Sequence, residues 1–333
     1  MKLWREKHTW LAKHAIEKLA RLNKKDIQRI AVIKHAAYGD LLCTRPFLVT
    51  LRQHFPHAAI TFGGINYYTR GIPEDLVDRV HLVPSRKEKK GHLNTLREYR
   101  KLGQHDLLFD LTGSTPSFLI SYLNQASFKI GYQHRYFHKL IYDVAIPRAE
   151  FRFEPLTFLE QLNLLGIQAE LPLDYGFKVE PMKRDKPYII YFPTASTIDK
   201  CWPEERFTSL INLMAQEYSQ HEHILLKGLA DWEKQLVDRI QGNLQRFDNV
   251  LTLDAGPEDD RLIKGADILV ANDTGIRHLG LALNTTTVCI FYQITPFGYW
   301  PRYGRHEVVF DPDGEPPAVE PVADAVRRIL QPK

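Results

Sequence analysis

The sequence predicts an α/β protein of two doubly wound parallel-sheet domains facing a central cleft, and three observations carry that prediction. A chain of 333 residues exceeds one ordinary core and suits two domains. Short apolar runs alternate with stretches of helical periodicity, stop at a proline-rich segment, and then begin again. Two of those runs, Ile30-Ala31-Val32-Ile33 and Ile268-Leu269-Val270, each lead into a turn that carries Gly and Asp and opens a helix. The turns are Ala37-Tyr38-Gly39-Asp40 and Asn272-Asp273-Thr274-Gly275-Ile276-Arg277-His278. A strand that ends at a helix N-terminus presents free backbone N–H groups and the positive end of a dipole, a place for anions and above all phosphate. One such turn is common. Two, in separate halves of one chain, predict a ligand at the carboxyl ends of the strands.

In residues 1–28, Trp4, Leu11, Ala15, Ile16, Leu19 and Leu22 recur at helical spacing opposite Lys and Arg. That pattern predicts a basic amphipathic helix over 1–25, either packed on its own domain or lying on anionic lipid. The first domain, 29–172, has strand patterns at 29–34, 58–62, 79–83, 106–111, 127–131 and 141–146, and helical patterns near 41–55, 92–103, 115–124 and 155–165. Three prolines and a charge run between Leu171 and Pro187 break the alternation and mark a linker at 173–187. The second domain, 188–318, has strands expected at 188–192, 222–227, 249–253, 267–271, 286–291 and 306–310. Its helices fit 204–218, 230–241, 258–265 and 274–283. The stripe Val319, Val322, Ala325, Val326, Ile329 and Leu330 predicts a closing helix in 319–333.

Composition excludes several classes. A hydrophobic fraction of 44% and an aromatic fraction of 11% are those of a folded globular chain. The net charge of +4 is mildly basic and gives no reason to expect nucleic acid. The positive charge gathers in the first 25 residues, in 86–101 and in 129–139, which fits anionic partners such as phosphorylated lipid or a membrane surface. Cys43, Cys201 and Cys289 are far apart and odd in number, so neither a disulfide framework nor a zinc site is expected. The expected compartment is the reducing cytosol. Charges interrupt the N-terminus throughout, unlike a signal peptide, and no apolar run reaches the roughly 18 residues of a membrane span.

Several side chains stand where chemistry is expected. Asp40, after Gly39, can cap its helix or act as a general base, and both roles can hold together. In Phe192-Pro193-Thr194-Ala195-Ser196-Thr197-Ile198-Asp199-Lys200-Cys201-Trp202-Pro203 a strand gives way to a polar loop that can set Ser196 and Lys200 against phosphate oxygens. Asp273, Thr274 and Gly275 form the second anion turn, with His278 either beside the ligand or packed in the helix. Asp231 and Glu233 follow Gly228, where an acid can grip ribose hydroxyls or simply begin a helix. Tyr132-Gln133-His134-Arg135-Tyr136-Phe137-His138-Lys139 mixes cations with aromatics, which suits an anionic sugar or a plain basic loop. The chain lacks GxxxxGK[ST] and has no GxGxxG after its first strand, which excludes a standard P-loop and weakens an NAD reading.

With these residues in view, the chain resembles the lipopolysaccharide core heptosyltransferases of glycosyltransferase family nine over most of 29–310. Three places carry the resemblance. The first is Gly39-Asp40-Leu41-Leu42-Cys43-Thr44-Arg45-Pro46 with Leu51-Arg52-Gln53-His54-Phe55-Pro56-His57-Ala58. The second runs from Ala195-Ser196 to Lys200-Cys201-Trp202-Pro203. The third and most specific is Asn272-Asp273-Thr274-Gly275 with His278. The resemblance implies a GT-B fold of two Rossmann-like domains and an inverting, metal-independent transfer of heptose without a cofactor. The donor would be ADP-heptose and the acceptor a lipid-linked, anionic inner-core sugar, with peripheral contact at the cytoplasmic face of the inner membrane. It implies that Asp40 deprotonates the acceptor hydroxyl and that Lys200 contacts the donor phosphates. Thr194, Ser196, Asp231, Asp273, Thr274, Gly275 and His278 would hold the rest of the donor, and Gly39, Arg45, His134 and Arg135 would face the acceptor.

The sequence departs from that family in three ways. Thr194 stands where Gly is usual, and Arg45 replaces an apolar residue beside the base. The run F-G-P-T-x-P is here Phe291-Tyr292-Gln293-Ile294-Thr295-Pro296. These changes leave open another nucleotide sugar or acceptor on the same fold. A non-catalytic nucleotide-sugar-binding scaffold is the rival from a different class, against which Asp40 and Lys200 both argue.

Overall fold

A computed structural model describes residues 1–4, 7–85, 88, 91–134 and 136–331. The chain divides into two compact units, Met1–Gly176 and Phe177–Lys333, so the division falls within the segment read as a linker.

The first unit begins with a two-residue strand, β1 (Trp10–Leu11), and a short helix, α1 (Ala15–Ala20). There follow β2 (Arg29–Ile33), α2 (Tyr38–His54), β3 (Ala59–Ile65), β4 (Arg79–Val83), α3 (His92–Arg100), β5 (Leu107–Asp110) and α4 (Thr115–Leu123). The unit continues with β6 (Phe128–Tyr132), α5 (His138–Ile141), β7 (Val144–Ile146) and α6 (Glu154–Asn163). The sheet order is β1-β7-β6-β5-β2-β3-β4, parallel throughout except for β1. Ile30 to Ile33 and Leu107 to Phe109 are fully buried, as strands covered on both faces require. Helix α2 is buried from Leu41 to Leu51 and packs on α6. Its interior hydroxyls are satisfied within the helix, Thr50 Oγ1 donating to the Pro46 carbonyl at 2.8 Å.

Of the amphipathic helix expected over 1–25, the described residues form only α1. Trp10 and Leu11 instead pair antiparallel with Ala145 and Val144, and the Ala12 N–H donates to the Asp143 carbonyl at 2.9 Å. Strand β7 offers an open edge whose backbone groups need partners, and that demand outweighs local helical periodicity. Lys18 is drawn to Asp143 at 2.9 Å, while Ile16 remains largely exposed.

The second unit contains β8 (Tyr188–Phe192), α7 (Glu204–Glu217), β9 (Glu222–Lys227), α8 (Asp231–Asn243), β10 (Val250–Asp254) and α9 (Asp259–Gly265). It ends with β11 (Ile268–Asn272), α10 (Gly275–Ala282), β12 (Thr287–Phe291), β13 (Glu307–Phe310) and α11 (Val319–Leu330). All strands are parallel, in the order β10-β9-β8-β11-β12-β13. Gly280 lets α10 press on β11 and β12, because a Cβ there would lie 2.7 Å from the Leu269 side chain. The closing helix α11 buries Val322, Ala323, Ala325, Val326 and Ile329 against α7 and β13.

Counted from its first parallel strand, each sheet has the order of a dinucleotide-binding fold, with a switch point where the strand order reverses. That point lies between β2 and β5 in the first unit and between β8 and β11 in the second. Among the described residues no helix is long and apolar enough to cross a membrane.

Candidate active site

At the switch point of the first unit, β2 runs into Lys34-His35-Ala36-Ala37 and then α2. Ala37 is the N-cap and makes no side-chain cap bond, so Asp40 sits at the third helical position rather than at the cap. Around it lie charges that the sequence motifs did not single out. Lys34 is 4% exposed, with Nζ 3.5 Å from Glu154 Oε1 and 4.2 Å above the Phe158 ring. Arg148 donates to Glu154 and to the Thr112 carbonyl. Burial opposes the Arg148 charge, but Glu154, Tyr132 and Asp40 together favour it. His35 donates its N–H to Thr112 Oγ1 at 2.9 Å, while burial and the Lys34 charge hold its imidazole down to about 4. Asp110, buried at the end of β5, accepts from the Tyr142 hydroxyl at 2.6 Å and from the Thr112 and Gly113 amides. It thereby fixes the turn facing the Asp40 loop, and burial raises its carboxyl above the usual range.

One of the acceptor assignments changes, and one falls outside what the structure describes. Arg45 does not face a ligand: it is 4% exposed, Nε donates to the Tyr175 carbonyl at 2.7 Å, and both Nη atoms hold Asp75. A guanidinium clamped on both edges has no free fork for a substrate. Arg135 lies outside the described residues. Gly39 lies in the first turn of α2, and His134, exposed just beyond β6, packs 5.3 Å from the Phe118 ring.

At the switch point of the second unit, the Asn272 side chain joins two loops. Its Oδ1 accepts from the Trp202 N–H at 3.0 Å, and its Nδ2 donates to the Pro193 carbonyl at 2.7 Å. Trp202, fully buried, donates Nε1 to the Pro317 carbonyl at 2.7 Å and so anchors the loop that leads into α7. Between those anchors Thr194 is buried with no hydrogen-bond partner for Oγ1, Ser196 is exposed, and a 3₁₀ turn, Ile198–Lys200, presents Lys200. The Tyr292 hydroxyl donates to the Asp199 carbonyl at 3.0 Å and secures that turn.

Thr274 is the N-cap of α10, has an extended backbone and makes no side-chain cap bond. Asp273 lies 3.6 Å from Arg277 Nη2 and 3.8 Å from His278 Nε2. Burial first, then the Arg277 charge, pushes the His278 imidazole well below its ordinary range, so it is neutral at pH 7. Arg277 is 1% exposed, donates to the Tyr299 carbonyl at 2.7 Å, and stacks over Phe291. A small pocket is lined by Lys200, Asp273 and Ile290 to Ile294. It brings together two motifs that are far apart in the chain.

Asp231 is exposed at the first position of α8, past the end of β9. Glu233 folds back so that Oε2 accepts from the Ala230 N–H at 2.9 Å, which closes a helix cap. The first unit therefore holds Gly39, Asp40 and His134, and the second holds Thr194, Ser196, Lys200, Asp231, Asp273, Thr274, Gly275 and His278. Asn272, Arg277 and Tyr292 lie inside the motifs but have no role assigned there, and Lys34, His35, Arg148 and Glu154 are the site neighbours that motif reading missed. Only Lys34 had a visible signal, a cation directly ending an apolar strand.

Comparison with known proteins places the chain. The sequence profile described as Glycosyltransferase family 9 (heptosyltransferase) matches residues 95–318. Lipopolysaccharide heptosyltransferase 1 of Pseudomonas aeruginosa is 26% identical over 309 residues, covering 84% of this chain and 82% of its own. Lipopolysaccharide heptosyltransferase 3 of Escherichia coli is 24% identical over 300 residues, covering 82% and 86%. The solved structure of E. coli heptosyltransferase WaaC with ADP superposes with a TM-score of 0.72 at 23% identity, covering 91% of this chain and all of that one. A family 9 glycosyltransferase from Veillonella parvula superposes at 0.73 and 17% identity, covering 93% and 98%. These folds are of the GT-B type. The chain belongs to glycosyltransferase family 9, the heptosyltransferases.

Proposed function

We propose that the protein transfers heptose from ADP-heptose to an inner-core sugar of lipopolysaccharide, with inversion and without a metal ion. The observation that carries this reading is the pocket where Lys200 and Asp273 meet at the switch point of the second unit. A cation and the unblocked amides of Thr274 and Gly275 suit a diphosphate, and Thr194 Oγ1 is an unused donor in the same loop. Asp231 accepts from the ribose hydroxyls. In the reaction the acceptor oxygen forms a bond to the anomeric carbon as the bond from that carbon to the diphosphate oxygen breaks. The acceptor proton passes to Asp40, and ADP leaves with its charge stabilised by Lys200 and the turn amides. His134 and the Gly39 turn contribute to holding the acceptor.

Calorimetric titration of ADP, UDP and NAD, with and without magnesium, tests the reading. ADP is expected to bind tightest, and equally in both conditions. Tighter UDP binding removes the donor assignment, and dependence on magnesium removes metal independence. One observation favours a second reading, transfer of another sugar. Tyr292 and Gln293 line the pocket with larger side chains than the family pattern has there. Turnover of ADP-heptose against other ADP-sugars decides between them.

A further inference from the structure

We infer that α4, α5 and the two residues just ahead of α5, Tyr136 and Phe137, form a surface that docks on an anionic lipid bilayer. The inference extends the reading above and rests on it for an acceptor carried by lipid. Helix α5 is a single turn whose inner face is anchored: Ile141 and Trp10 pack on the cluster of Phe118, Tyr142 and Ala145. Its outer face is the reverse of what a solvated helix shows. Leu140 is 77% exposed, and Tyr136 just ahead of the helix is 80% exposed. Phe137 is half exposed beside them, its ring stacked on Phe118 at 6.5 Å. Helix α4, which packs on α5, adds Tyr122 at 61% and Leu119. Single exposed apolar residues are ordinary, but five gathered on α4, α5 and the residues just ahead of α5 are a concentration that asks for a partner.

The charge around the patch selects the partner. The sequence has no Asp or Glu between Asp110 and Asp143, and Lys129 and Lys139 are the cations there among the described residues. Lys139 Nζ lies 5.4 Å over the Tyr136 ring, and Lys129 Nζ donates to the Ser121 carbonyl at the C-terminal end of α4. The neighbouring helix α3 adds Arg97 and Arg100 against Glu98. Tyrosines and leucine rimmed by cations that outnumber the single carboxylate of Glu98 fit the headgroup region of an anionic leaflet. The loop carrying Tyr136 and Phe137 leaves the carboxyl end of β6, the same sheet edge at which β2 leads to Asp40. Docking there would bring a lipid-borne sugar to the edge that carries the base.

Co-sedimentation of the full chain with vesicles of phosphatidylglycerol and phosphatidylethanolamine, against pure phosphatidylcholine vesicles, tests this. The vesicles hold neither donor nor acceptor, so the result is independent of whether the transfer reaction is assigned correctly. Wild type is expected to bind the anionic vesicles and to be released by salt. The triple variant Tyr122→Ser, Tyr136→Ser, Leu140→Ser should bind at least about tenfold more weakly, and Lys139→Glu about fivefold or more. Both should keep the wild-type circular dichroism spectrum. Trp4→Ser with Ile16→Ser should bind as wild type, which sets this surface apart from the N-terminal segment. Equal binding to both vesicle types, or full binding by the triple variant, overturns the inference. So does a concentration-dependent dimer that the triple variant dissolves while no vesicle binding is seen, since that outcome assigns the patch to a second copy of the chain.

Discussion

The two switch points occupy the same place in two sheets of the same strand order, yet they are furnished in opposite ways. In the first unit, charged side chains hold the loops: Lys34 and Arg148 converge on Glu154, and Asp110 gathers amides and a phenol. In the second, the neutral amide of Asn272 ties the loops, and the turn amides of Thr274 and Gly275 carry no side-chain cap. A charged cage fixes a carboxylate in place and resists rearrangement. An uncapped amide turn with Lys200 and Arg277 nearby leaves room for a ligand's own negative charge. The difference supports the proposed division, with proton transfer at the first edge and anion binding at the second.

The largest effect expected from breaking this division is that of Asp40→Asn. An amide cannot take the acceptor proton, and a positioned base is worth about 10² to 10⁴ in rate. Turnover should fall about a thousandfold, while ADP affinity, which belongs to the other unit, stays within about twofold. Retained turnover in a steady-state assay would remove Asp40 from the base role. Lost ADP binding would show that the two edges do not divide the work.

Glu154→Ala probes the cage itself. It leaves Lys34, 4% exposed, without its carboxylate, and Arg148 without its main partner. Removing one member of a buried ion cluster costs about 3 to 5 kcal/mol. The side chain of Arg148 is 38% exposed and regains some hydration, so about 3 kcal/mol is expected. Urea denaturation measures it. A loss below about 1 kcal/mol would mean that the loops are held by packing and the cage is incidental.

These cages also explain what was legible in the sequence and what was not. The parallel strands and most helices follow from apolar runs and periodicity, because each is decided within a dozen residues. The anion turns are local as well, so Asp40, Lys200 and Asp273 to His278 stood out. Glu154 lies far along the chain from Lys34, and nothing near either residue marks the other. Arg45 looked like a ligand contact because its partner, Asp75, is set by the fold and not by a motif. The N-terminal residues were misread for the same reason. Their periodicity was real, but the open edge of β7 that captures Trp10 and Leu11 exists only in three dimensions.

One feature is shared by the two edges, and it yields the smallest of the expected effects. Each holds a neutral imidazole: His35 is pushed down to about 4 by burial and by Lys34, and His278 is pushed well below its ordinary range by burial and by Arg277. Unfolded, either ring takes up a proton below pH 6.5, whereas folded it does not until far lower pH. Unfolding in that window therefore binds protons, and stability falls as the pH drops from 6.5 toward 4. Each ring contributes up to about 1.4 kcal/mol per pH unit to that slope. His35→Gln and His278→Gln should each make the urea midpoint less dependent on pH, with the His278 variant still differing from wild type at the lowest pH reached. Only His278→Gln should weaken ADP binding, because its ring lies 3.8 Å from Asp273 in the turn proposed to hold the donor. If His35→Gln weakened ADP binding equally, the assignment of anion binding to the second edge alone would fail. An unchanged pH slope in both variants would mean that neither imidazole is held neutral by its edge.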